Sequence, residues 1–224
     1  MAHFTINTND DGTISTILKD GVPHTEGVKF EPAWAIVRTY FEVAAGNLNR
    51  MASENEPKAR RSLGLQAFLM SLTGVEAFTN FFFLLLGRER GDDAIIKAAK
   101  KKTPLINRLA NLIEISFDQV LVDQEMILKR VRELYQLRNQ IVHPRWEPTS
   151  MMLAGDVPII IQELSQNFQS AFEEVTLCRE AYQWCLLLVS RVGKAAGNTD
   201  SGFTFFWAGV YGLKEEDLLK DLGL

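Results

Sequence analysis

Arg138, Asn139 and His143 fall within six consecutive residues, Arg138-Asn139-Gln140-Ile141-Val142-His143. Together they bring a guanidinium, an amide and an imidazole close to one another. These are the groups that metal-free cleavage of an RNA phosphodiester requires. The guanidinium holds phosphate charge, and the imidazole moves protons near neutral pH. The segment closes a helical stretch, because Pro144 disfavours helix at the residue before it.

A helix advances by about 100° per residue. With Ile127 at zero, Val131, Leu134, Ile141 and Val142 fall within about 60° of it, and Arg138 falls at about 20°, inside that apolar stripe. In the preceding apolar helix, with Leu65 at zero, Leu69 lies at about 40°, Leu72 at about 340° and Glu76 at about 20°. Each helix thus carries one charge aimed into a bundle. An isolated buried charge is expensive, so Glu76 and Arg138 are expected to meet. Two readings of that pair stand side by side. It is a structural ion pair of a helical core, or Glu76 and Asn80 line a polar cavity and orient Arg138. His143, at about 160°, lies off the stripe with Asn139 one turn before it on the same flank. The helix dipole favours its charged form while Arg138 and Arg145 oppose it. Taken alone, a histidine at a helix end is more often a cap or a surface residue.

The elements that must position these groups are mostly helical. Phe4–Ile6 and Ile14–Leu18 are β-prone around the turn Asn9-Asp10-Asp11-Gly12, so residues 3–18 read as a hairpin, followed by a Gly21-Val22-Pro23 linker. From Glu31 the chain turns helical, with Trp34, Val37, Phe41 and Leu48 at helical spacing. Asn55-Glu56-Pro57 breaks that helix, and a long apolar helix runs from about Lys58 to Gly87. Short helical stretches follow over Asp92–Lys100 and from Thr103-Pro104, with Leu105, Leu109, Leu112, Ile113 and Phe117 facing inward. Asp123 caps the helix that ends at His143. After a loop over 145–158, a stripe from Ile161 through Phe172 and Cys185 to Val189 predicts the longest helix, ending at Gly193. The expected organisation is a β-hairpin appendage and linker over 1–24, a helical bundle over 25–197, and an aromatic C-terminal tail with a short helix over 198–224. The fold class is mainly α, a bundle of about four to five long helices with a small N-terminal β-hairpin.

The bulk composition narrows the function classes. A chain of 224 residues with 46% hydrophobic and 23% charged content is a folded protein. Its net charge of −4 means that any RNA contact is local. Cys178 and Cys185 are separated by about 10 Å of helix rise, too far for a disulfide. They read as core residues of a reducing compartment, and the N-terminus has no signal-peptide pattern, so the expected location is cytoplasmic. No zinc signature is present, and no cofactor is expected. Leu63–Gly87 has the length of a bilayer span. Its Gln66, Ser71, Thr73, Thr79 and Asn80, together with mid-segment Glu76, are expensive in lipid, so it reads as a buried central helix and no membrane is expected.

The segment Leu134-Tyr-Gln-Leu-Arg138-Asn139-Gln-Ile-Val-His143-Pro resembles the signature of the HEPN superfamily: Arg, a polar residue that is often Asn, three further residues, then His. Leu72-Thr-Gly-Val-Glu76-Ala-Phe-Thr-Asn80 is similar to a Glu-Ala-Phe-x-Asn stretch in an early helix of many such domains. The resemblance covers roughly residues 31–193 as architecture and these two stretches as motif. It implies a metal-independent endoribonuclease, acting as a homodimer with two copies of the motif facing one another. Such enzymes act in toxin–antitoxin pairs, phage defence or RNA processing, with an antitoxin or regulatory protein as a further partner. On this chain His143 would be general base and acid. Arg138 would hold the phosphate, Asn139 would position phosphate or His143, and Glu76 and Asn80 would support them. Arg130, Arg132 and Arg145 are candidate RNA contacts, alongside basic clusters at Lys58–Arg61 and Lys97–Lys102; such runs more often form a solvated face. The alternative is a catalytically inactive helical module of this type that binds a protein partner or nucleotide.

Overall fold

In the computed structural model the described residues are 4–9, 14–25, 33–118, 120–142, 171–198, 202–210 and 212–223. They belong to two units, Met1–Pro32 and Ala33–Leu224. The first is a three-stranded antiparallel sheet in the order β1 (Phe4–Thr8), β2 (Ile14–Lys19), β3 (Val22–Pro23). Ile6 pairs with Ile17, and the register shifts at Asn7 and Thr8. The third strand corrects the linker expected at Gly21-Val22-Pro23. Asp20 and Gly21 both adopt left-handed backbone, at φ 51° and 83°. That is the combination a two-residue hairpin connection needs. Pro23 sits on the edge of the sheet, where its missing N–H is tolerated.

The second unit is a helical bundle, with eight helices among the described residues. Four are long: α1 (Ala33–Ser53), α2 (Pro57–Arg90), α5 (Gln124–Val142) and α6 (Val175–Ala195). The shorter ones are α3 (Asp93–Lys100), α4 (Leu105–Ser116), α7 (Gly202–Ala208) and α8 (Glu215–Asp221). Helix α2 is the axis of the unit. Glu56 caps its start, accepting from the backbone of Lys58 and Ala59 ahead of Pro57 in the first turn. The helix does not stop at Gly87 but runs to Arg90, where Gly91 at φ 66° closes it. Gly87 is instead a contact point: a Cβ there would come within 2.9 Å of the Ile96 side chain on α3.

Two further glycines let neighbours approach α2 closely. The Phe41 ring of α1 lies over Gly74, and the carbonyl of Phe172 and the thiol of Cys178 lie over Gly64. Ser71 and Thr79 are buried on the same helix, and each hydroxyl donates to its own helix backbone at 2.8 Å. By length and composition α2 could cross a membrane, and half of its most apolar window is buried inside the protein.

The stripe from Ile161 to Val189 does not form one continuous helix in its described part. Phe172 and Glu173 form a turn, and α6 opens only at Val175. The turn is held by the Arg61–Glu173 ion pair and by Phe172 stacking edge-on with Phe68. The part of the stripe before 171 lies outside the described residues. Thr103 provides no side-chain cap to α4, whose cap position is Pro104. In the tail, Phe203 packs on Gly193 and, with Trp207, forms a ring cluster with Phe78 and Phe82. Helix α8 is tied to α6 through Glu215, which pairs with Arg191 and Lys194, and through Asp221, which accepts from Gln183 at 2.8 Å.

Candidate functional site

The described part of the candidate site lies where α5 crosses the flank of α2. Helix α5 buries Ile127, Leu128, Val131, Leu134 and Tyr135. Arg138 continues that line one turn further on, at the thinning end of the helix, and its side chain is 23% exposed. Glu76 is 41% exposed, at the rim of the bundle rather than at its centre. The reason is the breadth of the α2 buried arc. It runs through Gly64, Ala67, Ser71, Gly74 and Phe78, while Leu65 and Leu69, which precede Glu76 on its own line of the helix, are only part-buried.

Glu76 and Arg138 nevertheless meet, with Arg138 Nη2 at 4.0 Å from Glu76 Oε2. That distance is Coulombic contact without a hydrogen bond. The hydrogen bond to this carboxylate comes from Tyr135, whose hydroxyl donates to Glu76 Oε2 at 2.7 Å. The Tyr135 ring lies under the guanidinium, 5.5 Å from its carbon. Burial first, then the hydrogen bond to Glu76 and its charge, push the phenol well above its ordinary value, so it stays a neutral donor. Arg138 Nη1 donates to Asn139 Oδ1 at 3.1 Å. Arg138 Nε is buried and has no hydrogen-bond partner among the described residues. The guanidinium is therefore steadied by a ring face, a nearby carboxylate and an amide, while Nη2 has no hydrogen-bond partner among the described residues. Such a group can donate to a phosphate oxygen.

The other expected residues are distributed as follows. Asn139 is exposed beside Arg138. Asn80 does not turn to Arg138; its Oδ1 accepts from Arg108 Nη2 at 2.7 Å, joining α2 to α4. Arg130 has all three guanidinium nitrogens engaged: Nε and Nη2 with Glu180 at 3.0 and 2.6 Å, Nη1 with Glu133 at 2.8 Å. Arg132 is exposed. His143 and Arg145 lie outside the described residues. Among the described residues, no three His, Cys, Asp or Glu side chains converge into a set that could hold a metal ion.

Sequence reading missed Tyr135 and Arg108. Tyr135 precedes Arg138 by three positions and so shares its helix face, which is the signal that points to it. Two hollows of about 410 Å³ each share Arg191 and Lys194 in their walls. Both cations there are already paired, Arg191 with Asp123 at 3.3 Å and Glu215 at 3.1 Å, and Lys194 with Glu215. No protein-family model, curated protein or solved structure matches the chain.

Proposed function

We propose that this chain is a metal-independent endoribonuclease of HEPN type that works as a cytoplasmic homodimer, in a toxin–antitoxin or phage-defence setting with an antitoxin or regulatory protein as antagonist. The observation that carries the reading is the state of Arg138: an oriented, three-quarters-buried guanidinium whose Nε and Nη2 lack hydrogen-bond partners among the described residues. It stands five residues before His143, at the end of a helix in an all-helical bundle. In the reaction His143 takes the proton of the ribose 2′-hydroxyl, whose oxygen attacks the adjacent phosphorus. The bond to the 5′-oxygen breaks, that oxygen leaves protonated, and a 2′,3′-cyclic phosphate remains. Arg138 holds the non-bridging oxygens as charge builds on them, and Asn139 positions the phosphate or the imidazole.

Pure protein incubated with RNA in EDTA tests this. The expected result is cleavage with 2′,3′-cyclic ends, resistance of DNA, and loss of cleavage in His143→Ala and Arg138→Ala. A requirement for a divalent metal, or cleavage surviving His143→Ala, would overturn the mechanism. Light scattering at micromolar concentration should give the mass of a dimer. The partial burial of Arg138 beside Glu76 also favours a second reading, a silent module that binds a protein partner or nucleotide without cutting. Binding of a nucleotide with no RNA cleavage under any condition would select it.

A further inference from the structure

Glu76 has two cations or donors within reach and bonds only one of them. A carboxylate beside an arginine ordinarily closes the two-pronged fork, the strongest arrangement available to the pair. Here Glu76 Oε2 accepts from the Tyr135 hydroxyl at 2.7 Å and stands 4.0 Å from Arg138 Nη2. The same tyrosine offers its ring face to the guanidinium. One side chain thus occupies the competing acceptor and supports the cation.

We propose that Tyr135 is a positioning residue that withholds Glu76 from Arg138, so that the guanidinium stays oriented but open to a phosphodiester of single-stranded RNA. The inference rests on the reading of Arg138 as a phosphate ligand. Without the phenol, Glu76 swings towards the guanidinium and competes with phosphate for the donor on Nη2. Arg138 Nη2, 4.0 Å from Glu76 and without a hydrogen-bond partner among the described residues, is the donor that a phosphate oxygen completes. Arg130 on the same helix shows the closed alternative, with each of its three nitrogens on a carboxylate.

The test is the affinity of the full chain for a fluorescent 2′-O-methyl oligonucleotide, which keeps the phosphates but cannot be cut, read by anisotropy. Tyr135→Phe should weaken binding by about five- to tenfold. Glu76→Gln should stay within about twofold of the parent, because a neutral amide is a poor competitor for the cation. The double variant Tyr135→Phe/Glu76→Gln should return to the parental affinity. A hydroxyl that merely stabilises the fold would instead leave the double variant as weak as the single. Full affinity in Tyr135→Phe, with binding lost in Arg138→Ala, would overturn the role of Tyr135 and leave the site intact. Equal binding by the parent and Arg138→Ala would overturn the reading of the site, and this inference with it.

Discussion

Arg130 and Arg138 lie eight residues apart on α5, on a helix whose other basic residues face solvent, and their surroundings are opposite. Glu133 and Glu180 saturate Arg130, and Trp184 donates to the same Glu180 oxygen at 3.3 Å. Those carboxylates hold its guanidinium more firmly protonated than usual, with the Glu133 hydrogen bond the largest cause. Among the described residues Arg138 has one side-chain hydrogen bond, a carboxylate just beyond bonding distance and a buried Nε with none. A saturated arginine ties α5 to α6; an arginine that is oriented yet unsaturated is prepared for an anion that arrives from outside. Charge alone does not separate the two, and the local acceptor supply does.

Substitutions can break this contrast. His143→Ala and Arg138→Ala should each lower RNA cleavage by about 10²–10⁴-fold, whereas Arg130→Ala should leave the rate within about threefold, measured on one labelled RNA. Equal losses at Arg130 and Arg138 would erase the distinction. Tyr135→Ala should destabilise by about 3–5 kcal/mol in urea unfolding, since it empties a buried aromatic site. Tyr135→Phe should cost about 1–2 kcal/mol, the hydroxyl alone.

Burial pushes Cys178 from 9.0 up to about 12 and Tyr182 from 10.0 up to about 12, and raises Cys185 and Tyr135 as well. The unfolded chain releases these protons first, so it gains as pH rises. Through these groups stability should be unaffected near neutral pH and fall above about pH 9, by about 1.4 kcal/mol per pH unit for each group in transition. Cys178→Ala should flatten the slope, which a pH series of urea midpoints will show. Glu76→Ala should cost about 1–2 kcal/mol, the value of a partly exposed charged hydrogen bond and well under that of a fully buried ion pair. Arg130→Ala should cost about 1 kcal/mol, because its partners are one-third to nearly half exposed.

The long helices and the meeting of Glu76 with Arg138 were legible in the sequence because helical spacing states which side chains share a face. Other features were not. Glycines carry the closest packing of α2, yet a hydrophobicity pattern gives them no weight, so a stripe through Leu65 and Leu69 places Glu76 deeper than it lies. Gly87 reads as a stop for the same reason, although its lack of a side chain serves α3. The break before α6 leaves the apolar stripe in phase, and its cause, Phe172 and Glu173 docking on Phe68 and Arg61, is a tertiary contact. At the site, Tyr135 reads as one more core residue between Leu134 and Leu137. Its hydroxyl partner is 59 positions away in the chain, beyond any local pattern. Asn80 shares a turn with Glu76, but Arg108 on α4 claims it.

The order in which α2 acquires its neighbours matters for how the chain is made. Helix α1 precedes it and covers the Gly74 side at once, but α6 does not begin until Val175, long after α2 ends at Arg90. The rings of Phe203 and Trp207 that close over Phe78 and Phe82 come later still. A ribosome that has released α5 therefore presents a 34-residue helix, apolar enough by length and composition to cross a bilayer, with the face that α6 and the tail rings will cover still open. Through that interval the open face is the part of the nascent chain most prone to stray contact with lipid or with other copies of itself.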